Sequence, residues 1–217
     1  MKYLIKVRNL YRKIFRRVFF TYNRMRLRNR NFSIISKDCI GGIIAHDLKI
    51  RFDSPTINLW FNAEDFIKFC KDLKFYLSER LIEDKDSDKN YPVGFLGSGD
   101  KKITVNFMHY ESFSQAEMKW YERTSRIHWD NLFFIMTDRE YCNEKLAHEF
   151  DMLPYEHKAF LTFRDIEGVK SSVKFNDYGL PPTGDKGMDP PLLMSYCSEI
   201  SALRILDKWD YVSFLNA

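Results

Sequence analysis

The chain has 217 residues, of which 45% are hydrophobic and 16% aromatic, and this many large apolar side chains excludes an intrinsically disordered protein. The formal charge of +4 is unevenly distributed. Residues 1–37 hold 12 of the 34 Lys and Arg residues and none of the 30 Asp and Glu residues, so the rest of the chain is acidic overall. Because nucleic-acid-binding domains usually spread basic residues over their folded surface, no nucleic-acid partner is expected.

The N-terminal segment predicts a basic amphipathic helix. At about 100° per residue, the apolar residues between Tyr3 and Val18 fall on one arc, with Ile5 as the exception, and most Lys and Arg residues fall on the opposite one. Such a helix is typical of membrane interfaces, where basic side chains reach anionic headgroups. We therefore interpret residues 1–30 as an arm that binds an anionic membrane surface. Two alternatives remain open: a helix packed on its own domain with a solvated basic face, and a nucleic-acid-binding arm.

From residue 31 onward, short apolar runs alternate with helical stretches, which predicts one α/β domain over residues 31–217. We expect a single open sheet, mostly parallel or mixed, with helices on both faces. Strands are predicted at residues 32–36 and 57–61, and the stretch 193–206 has helical periodicity. Residues 93–96 and 103–107 predict a hairpin, and Asn62 is a candidate N-cap of the helix that follows it.

The most apolar run, residues 132–136, predicts a central strand buried on both faces. Asp138, Arg139 and Glu140 follow it, at the sheet edge where α/β proteins bind ligands. Asp138 and Glu140 are therefore candidate ligands of a divalent cation, Mg²⁺ or Mn²⁺, that bridges diphosphate oxygens. Arg139 is a candidate phosphate partner. An ordinary turn at the strand end is the alternative.

Other candidate site residues surround the remaining predicted strands. His109 follows the strand 103–107 and is a candidate general base, with a structural histidine as the alternative. Cys39 lies near a predicted helix start, where a lowered pKa activates a nucleophile; a buried free thiol is the alternative. Gly41 and Gly42 are candidates for backbone binding of an anionic cofactor. Asp130, just before the central strand, is a second candidate base.

The body also resembles a known family through an ordered series of short motifs. They include Ile35-Ser36-Lys37-Asp38-Cys39-Ile40-Gly41-Gly42, Tyr91-Pro92-Val93-Gly94, Arg126-Ile127-x-Trp129-Asp130-Asn131 and Met136-Thr137-Asp138-Arg139. The series resembles a bacterial domain family of unassigned function whose members are usually labelled exopolysaccharide biosynthesis proteins. The resemblance covers about residues 31–217 and leaves the N-terminal helix outside. The family pattern more often continues with Asp-Gly where this chain has Glu140-Tyr141.

The resemblance implies a cytoplasmic role in making capsule, exopolysaccharide or lipopolysaccharide. Our leading hypothesis is a glycosyltransferase, peripheral at the inner face of the cytoplasmic membrane, that uses a nucleotide sugar and a lipid-linked glycan. His109 or Asp130 would then deprotonate the acceptor hydroxyl. One alternative is acyl transfer or another glycan modification with Cys39 as nucleophile and Gly41-Gly42 as oxyanion site. The other is a non-catalytic assembly component of the polysaccharide machinery.

Overall fold

The computed structural model describes residues 2–184, 187 and 189–217. Seven helices are described: α1 (Lys2–Arg26), α2 (Ile40–Leu48), α3 (Ala63–Lys71), α4 (Leu73–Ser78), α5 (Phe113–Thr124), α6 (Glu144–Asp151) and α7 (Tyr211–Leu215). Seven strands are described: β1 (Ser33–Ser36), β2 (Ile82–Glu83), β3 (Val93–Leu96), β4 (Ile103–Asn106), β5 (Leu132–Thr137), β6 (His157–Thr162) and β7 (Ser172–Lys174). The predicted α/β class is confirmed.

The main sheet is parallel and has the strand order β1-β5-β6-β7. Its register sets Ile35 opposite Phe134 and Met136 opposite Phe160. The predicted central strand is confirmed, because β5 lies between β1 and β6 and its residues Phe133 to Met136 have no exposed surface. A strand covered on both faces can be apolar throughout, which is the pattern that β5 shows.

Two hydrophobic clusters fill the two faces of this sheet. Alternate residues of β1 and β5 point to opposite sides, so Ile35 and Phe134 join one cluster while Ile34 and Phe133 join the other. The first cluster includes side chains of α3, α5 and α6, and the second includes side chains of α2 and α7. The prediction of helices on both faces is therefore confirmed.

A second, smaller sheet is antiparallel, with the order β2-β3-β4. The predicted hairpin is confirmed, and Gly97 takes a φ of +71° where the chain leaves β3. The predicted strand at 57–61 is wrong: only Trp60 forms a bridge, with Asn106, and Phe61 N donates to Lys37 O at 2.9 Å. This segment lies between the end of β1 and the edge of β4, so it joins the two sheets without forming a ladder.

Two local expectations have opposite outcomes. Asn62 caps α3 as predicted, and its Oδ1 accepts from Asp65 N at 2.8 Å. The helix expected at 193–206 is wrong, because the segment consists of turns around a single bridge between Tyr196 and Arg204. The buried Arg204 guanidinium pairs there with Asp207 and Asp47, and these buried ion pairs fix the segment in place of helical hydrogen bonds.

The N-terminal helix α1 is confirmed, and it lies against the body. Its Asn23 is buried and donates to Tyr211 Oη at 3.2 Å, while Arg24 Nε donates to Asp47 O at 2.9 Å. Of the helices that the structure describes, α1 included, none is long and apolar enough to cross a membrane.

Candidate functional site

The carboxyl ends of β1, β5 and β6 meet at one edge of the parallel sheet, beside an open cleft of about 710 Å³. Ligands of parallel α/β proteins bind at this edge, because the loops that follow the strands converge there. The cleft is lined by Trp60, Lys89, Tyr91, Met108, Asp138, Arg139, Glu140, Tyr141, Cys142, Gly184 and Asp189. The predicted residues Asp138, Arg139 and Glu140 therefore do share a cavity.

Asp138 joins the ends of two neighbouring strands. Its side chain is almost fully buried, and Oδ2 accepts from Thr162 Oγ1 at 2.6 Å and from Phe163 N at 3.2 Å. Arg164 Nε lies 3.5 Å from the same oxygen. Buried carboxylates need such donors to offset the loss of water, so Asp138 fixes the end of β5 to the end of β6.

Lys37, which sequence reasoning missed as a site residue, lies at the end of β1 with a completely buried side chain. Its Nζ forms an ion pair with Glu140 Oε2 and donates to Arg139 O at 3.0 Å. Burial raises the pKa of the Glu140 carboxyl, and the Lys37 charge opposes that rise. Lys37 could have been recognised as a site residue from the sequence, because it follows a parallel strand just as Asp138 does.

Arg139 connects the end of β5 to the later loop. Its Nη1 donates to Thr183 Oγ1 at 2.7 Å and to Pro190 O at 2.6 Å, and Nε donates to Glu140 Oε1 at 3.2 Å. Asp189 Oδ2 lies 3.5 Å from Nη2. The guanidinium that was predicted to face a phosphate is thus engaged by protein groups that close one side of the cleft.

The two candidate metal ligands each face groups of the protein. Glu140 binds Lys37 and Arg139 through its two oxygens, while Asp138 accepts from the end of β6. Within the described ranges, no three His, Cys, Asp or Glu side chains are grouped so that they could hold a metal ion. Asp138 and Glu140 are placed as partners of cations and N–H or O–H donors, which does not fit a metal site shared between them.

The backbone that follows Arg139 is strained. Glu140 and Tyr141 have φ values of +50° and +65°, and two consecutive residues with side chains rarely occupy this left-handed region. Each such residue costs on the order of 1 kcal/mol or more, and such strain clusters at functional sites. The hydrogen bond from Glu140 N to Asp189 Oδ1, at 2.8 Å, helps to hold the conformation. This backbone conformation places the exposed Tyr141 at the rim of the cleft.

A second cavity of about 480 Å³ adjoins the cleft, and Trp60 and Tyr141 line both. Its other lining residues are mainly neutral: Asn62, Ala63, Glu64, Thr104, Asn106, Asn143 and Leu146. Most of the charged groups therefore line the first cavity, and most of the amide and hydroxyl groups line the second. No local sequence pattern predicts this pairing, because Trp60 and Tyr141 are far apart in the chain.

Cys39 is not placed as an activated nucleophile. Its Sγ lies 3.9 Å from Leu59 O, and burial raises the pKa of the thiol to about 12, with a further contribution from the Asp38 and Glu140 charges. A thiol with this pKa stays protonated at neutral pH, whereas catalytic cysteines have lowered values. The four cysteines, at positions 39, 70, 142 and 197, are all free thiols.

Gly41 and Gly42 lie inside the first turn of α2, not in a loop before it. Gly41 N donates to Ser36 Oγ at 3.2 Å, and Ile40 N donates to Asp38 Oδ1 at 3.0 Å, so two N–H groups at this helix end already have protein acceptors. A Cβ at Gly41 would lie 2.7 Å from Ser36 Cβ, which explains the glycine by close packing of α2 on β1.

The two candidate bases are not brought to the cleft. His109 is exposed, and its neighbour Met108 lines the cleft while His109 itself does not. Asp130 is exposed and precedes β5, whereas Asp138 follows it. Six strand residues at about 3.3 Å each put roughly 20 Å between those ends of the sheet. Asp130 therefore lies at the opposite edge.

Two comparisons with known proteins bear on the family. A model described as "Domain of unknown function (DUF1919)" matches residues 10–216. An "Uncharacterized protein" of Haemophilus influenzae is 34% identical over 194 residues, which cover 88% of this chain and 87% of that protein. Because the match begins at residue 10, it includes most of α1, and the expectation that this helix lies outside the family region is wrong. The chain belongs to the DUF1919 family, whose function is unknown.

Proposed function

We propose that this protein is a transferase of bacterial surface-polysaccharide biosynthesis that moves a sugar from a nucleotide sugar to a glycan acceptor at the cytoplasmic side of the membrane. The observation that carries the proposal is the pair of adjoining cavities that share Trp60 and Tyr141. A group-transfer enzyme must hold two substrates side by side, with the transferred group at the boundary between them.

The chemistry of the two cavities supports an assignment to donor and acceptor. The cavity of about 710 Å³ has the size of sites that enclose a nucleotide-sized ligand, and Lys89 in its lining offers a basic partner for a phosphate group. The cavity of about 480 Å³ offers amide and hydroxyl groups of Asn106, Asn143 and Thr104, which suit sugar hydroxyls. Trp60 and Tyr141 at the boundary offer ring faces for the transferred sugar.

The buried ion pairs have a positioning role in this proposal. Lys37, Glu140 and Arg139 hold the strained backbone after β5, and Asp138 holds the end of β6 beside it. Rigid support of this kind keeps the boundary residues, Trp60 and Tyr141, in a fixed geometry during transfer. The motif series that resembles exopolysaccharide biosynthesis proteins supports the choice of pathway. The raised pKa of Cys39 gives no support to acyl transfer through that thiol.

The first test is ligand binding by the purified full-length protein. Isothermal titration against UDP-, GDP- and CMP-linked sugars, with and without Mn²⁺, should identify a donor. Replacing Trp60 with Ala should weaken its binding by at least about tenfold, which corresponds to roughly 1.4 kcal/mol. The matched control is Trp129→Ala, since Trp129 is also partly exposed but precedes β5 at the opposite edge of the sheet.

The second test is turnover. A transferase should release the nucleotide in the presence of a lipid-linked glycan, and cells that carry only the Trp60→Ala protein should make altered surface glycan at normal protein levels. Binding without turnover would instead assign the protein as a non-catalytic component of the machinery. If no nucleotide sugar binds and loss of the gene leaves the surface glycan unchanged, the proposal fails in both forms.

A further inference from the structure

Helix α1 docks on the body through its cationic side. Arg12 Nε donates to Ser201 O at 2.9 Å, and its guanidinium lies 3.6 Å from the centre of the Tyr196 ring. One turn later, Arg16 Nη1 donates to the buried Asp207 at 3.1 Å. These contacts use the basic residues that an isolated amphipathic helix would point toward water or headgroups. Part of the positive charge of the N-terminal segment is therefore paired with groups of the acidic body.

The opposite side of α1 is apolar and uncovered among the described residues. Its exposed large side chains recur every three or four residues, with exposed fractions from 47% to 79%. They form what we call the outer stripe: Tyr3, Leu4, Val7, Leu10, Tyr11, Ile14, Val18, Tyr22 and Met25. At 1.5 Å per residue the stripe is about 33 Å long. An apolar surface of this extent marks an interaction site, because folded proteins seldom leave one in water.

The charges beside the outer stripe indicate what covers it. Lys6, Lys13 and Arg17 are exposed, and at 100° per residue they fall along one border of the stripe. No Asp or Glu occurs anywhere in residues 1–37. A second copy of α1 on the stripe would bring like charges together with no acidic partner in the segment. Anionic headgroups, in contrast, complement a basic border around an apolar face.

We infer that the outer stripe inserts into the headgroup and acyl-chain boundary of an anionic phospholipid bilayer, with α1 lying parallel to the membrane surface. The apolar side chains enter the bilayer, Lys6, Lys13 and Arg17 contact lipid phosphates, and the Arg12 and Arg16 side keeps hold of the body. The body is thereby held directly beneath the membrane. This inference uses no cleft residue and stands independently of the transferase proposal.

The test is flotation of the full-length protein with vesicles of phosphatidylcholine alone or with 30% phosphatidylglycerol added. Binding should require phosphatidylglycerol and weaken with salt. Val18→Asp should reduce it by at least about tenfold, because it puts a charge into the apolar face. The matched control is Met118→Asp on α5, since Met118 is exposed to a similar extent, 57% against 65%, and should leave binding unchanged.

A second variant checks the basic border. Changing Lys6, Lys13 and Arg17 together to Gln should weaken binding to anionic vesicles by roughly 100-fold, the combined effect expected of three basic side chains at such a surface. Circular dichroism should show unchanged helix content in each variant. The inference is overturned if the wild-type protein floats with neither kind of vesicle, or if Val18→Asp binds anionic vesicles as well as the wild type does. It is equally overturned if light scattering shows a dimer that Val18→Asp dissociates, because the stripe would then pair with a second copy.

Discussion

Replacing Gly41 with Ala separates a packing role for this glycine from a ligand-binding role. The added Cβ would lie 2.7 Å from Ser36 Cβ and 2.9 Å from Ile34 Cγ2, well inside ordinary van der Waals contact. Both neighbours belong to β1 and are buried, so neither side chain can swing away into solvent. Relief requires α2 to move away from the sheet, and that movement loosens the packing behind the strand ends.

The expected magnitude follows from two opposing effects. Overpacking of a buried contact lowers the free energy of unfolding by about 1–3 kcal/mol, whereas a Gly-to-Ala change within a helix raises it by up to about 1 kcal/mol. Gly42 provides the matched control, because its Cβ would meet only Ile57 Cγ2 at 3.3 Å and Ile57 Cδ1 at 3.6 Å. Gly41→Ala should therefore be less stable than Gly42→Ala by about 1–3 kcal/mol, and Gly42→Ala should be close to wild type.

Thermal unfolding followed by circular dichroism measures the difference. For a chain of this length, 1 kcal/mol lowers the midpoint by about 2–4 °C, so Gly41→Ala should melt about 2–12 °C below Gly42→Ala. Urea unfolding provides an independent free energy from the same pair. Equal stability of the two variants would refute the packing explanation and return Gly41 to the candidates for anion binding.

Three further predictions concern buried charges and thiols. Arg204→Met removes the partner of the buried carboxylates of Asp47 and Asp207 and should cost about 3–5 kcal/mol in urea unfolding. Lys37→Met leaves Glu140 buried without its ammonium partner and should raise the pKa of that carboxyl further. A raised carboxyl pKa contributes stability that is lost as pH rises, so the deficit relative to wild type should grow from pH 5 to pH 8, and adding Glu140→Gln should restore most of it. Iodoacetamide should alkylate Cys39 at pH 8 at least about tenfold more slowly than free cysteine, because burial raises the pKa of the thiol to about 12 and keeps it protonated, and mass spectrometry can follow the reaction. Rapid alkylation at pH 8 would contradict the buried, protonated thiol.

The elements with strong local signals were predictable from the sequence. The apolar run of β5, the hairpin of β3 and β4, and the Asn62 cap all depend on neighbours within a few residues. The segment 193–206 has helical periodicity but forms turns, because Arg204 is held by the distant Asp47 as well as by Asp207. Periodicity describes which residues share a face and does not weigh such distant ion pairs.

The candidate site was predictable in part. The rule that ligands bind after parallel strands identified Asp138, Arg139 and Glu140, which do line the cleft. Their predicted roles as metal ligands and as a phosphate partner could not be tested by sequence alone. The same carboxylate residue occurs in the sequence whether its side chain faces a metal ion or a lysine. The pairing of Lys37 with Glu140 joins residues more than 100 positions apart and depends on β1 and β5 being neighbours.

The sequence by itself determined the α/β class, the buried central strand and a helix with one apolar and one basic side, because each depends on the periodicity of neighbouring apolar and polar residues. Only the tertiary structure decided which side of that helix meets the body. Arg12 and Arg16 bind carbonyl groups and a buried carboxylate supplied by residues 198–207, and no local pattern in α1 encodes them. Long-range charge pairing therefore turned the basic side inward and left the apolar side exposed.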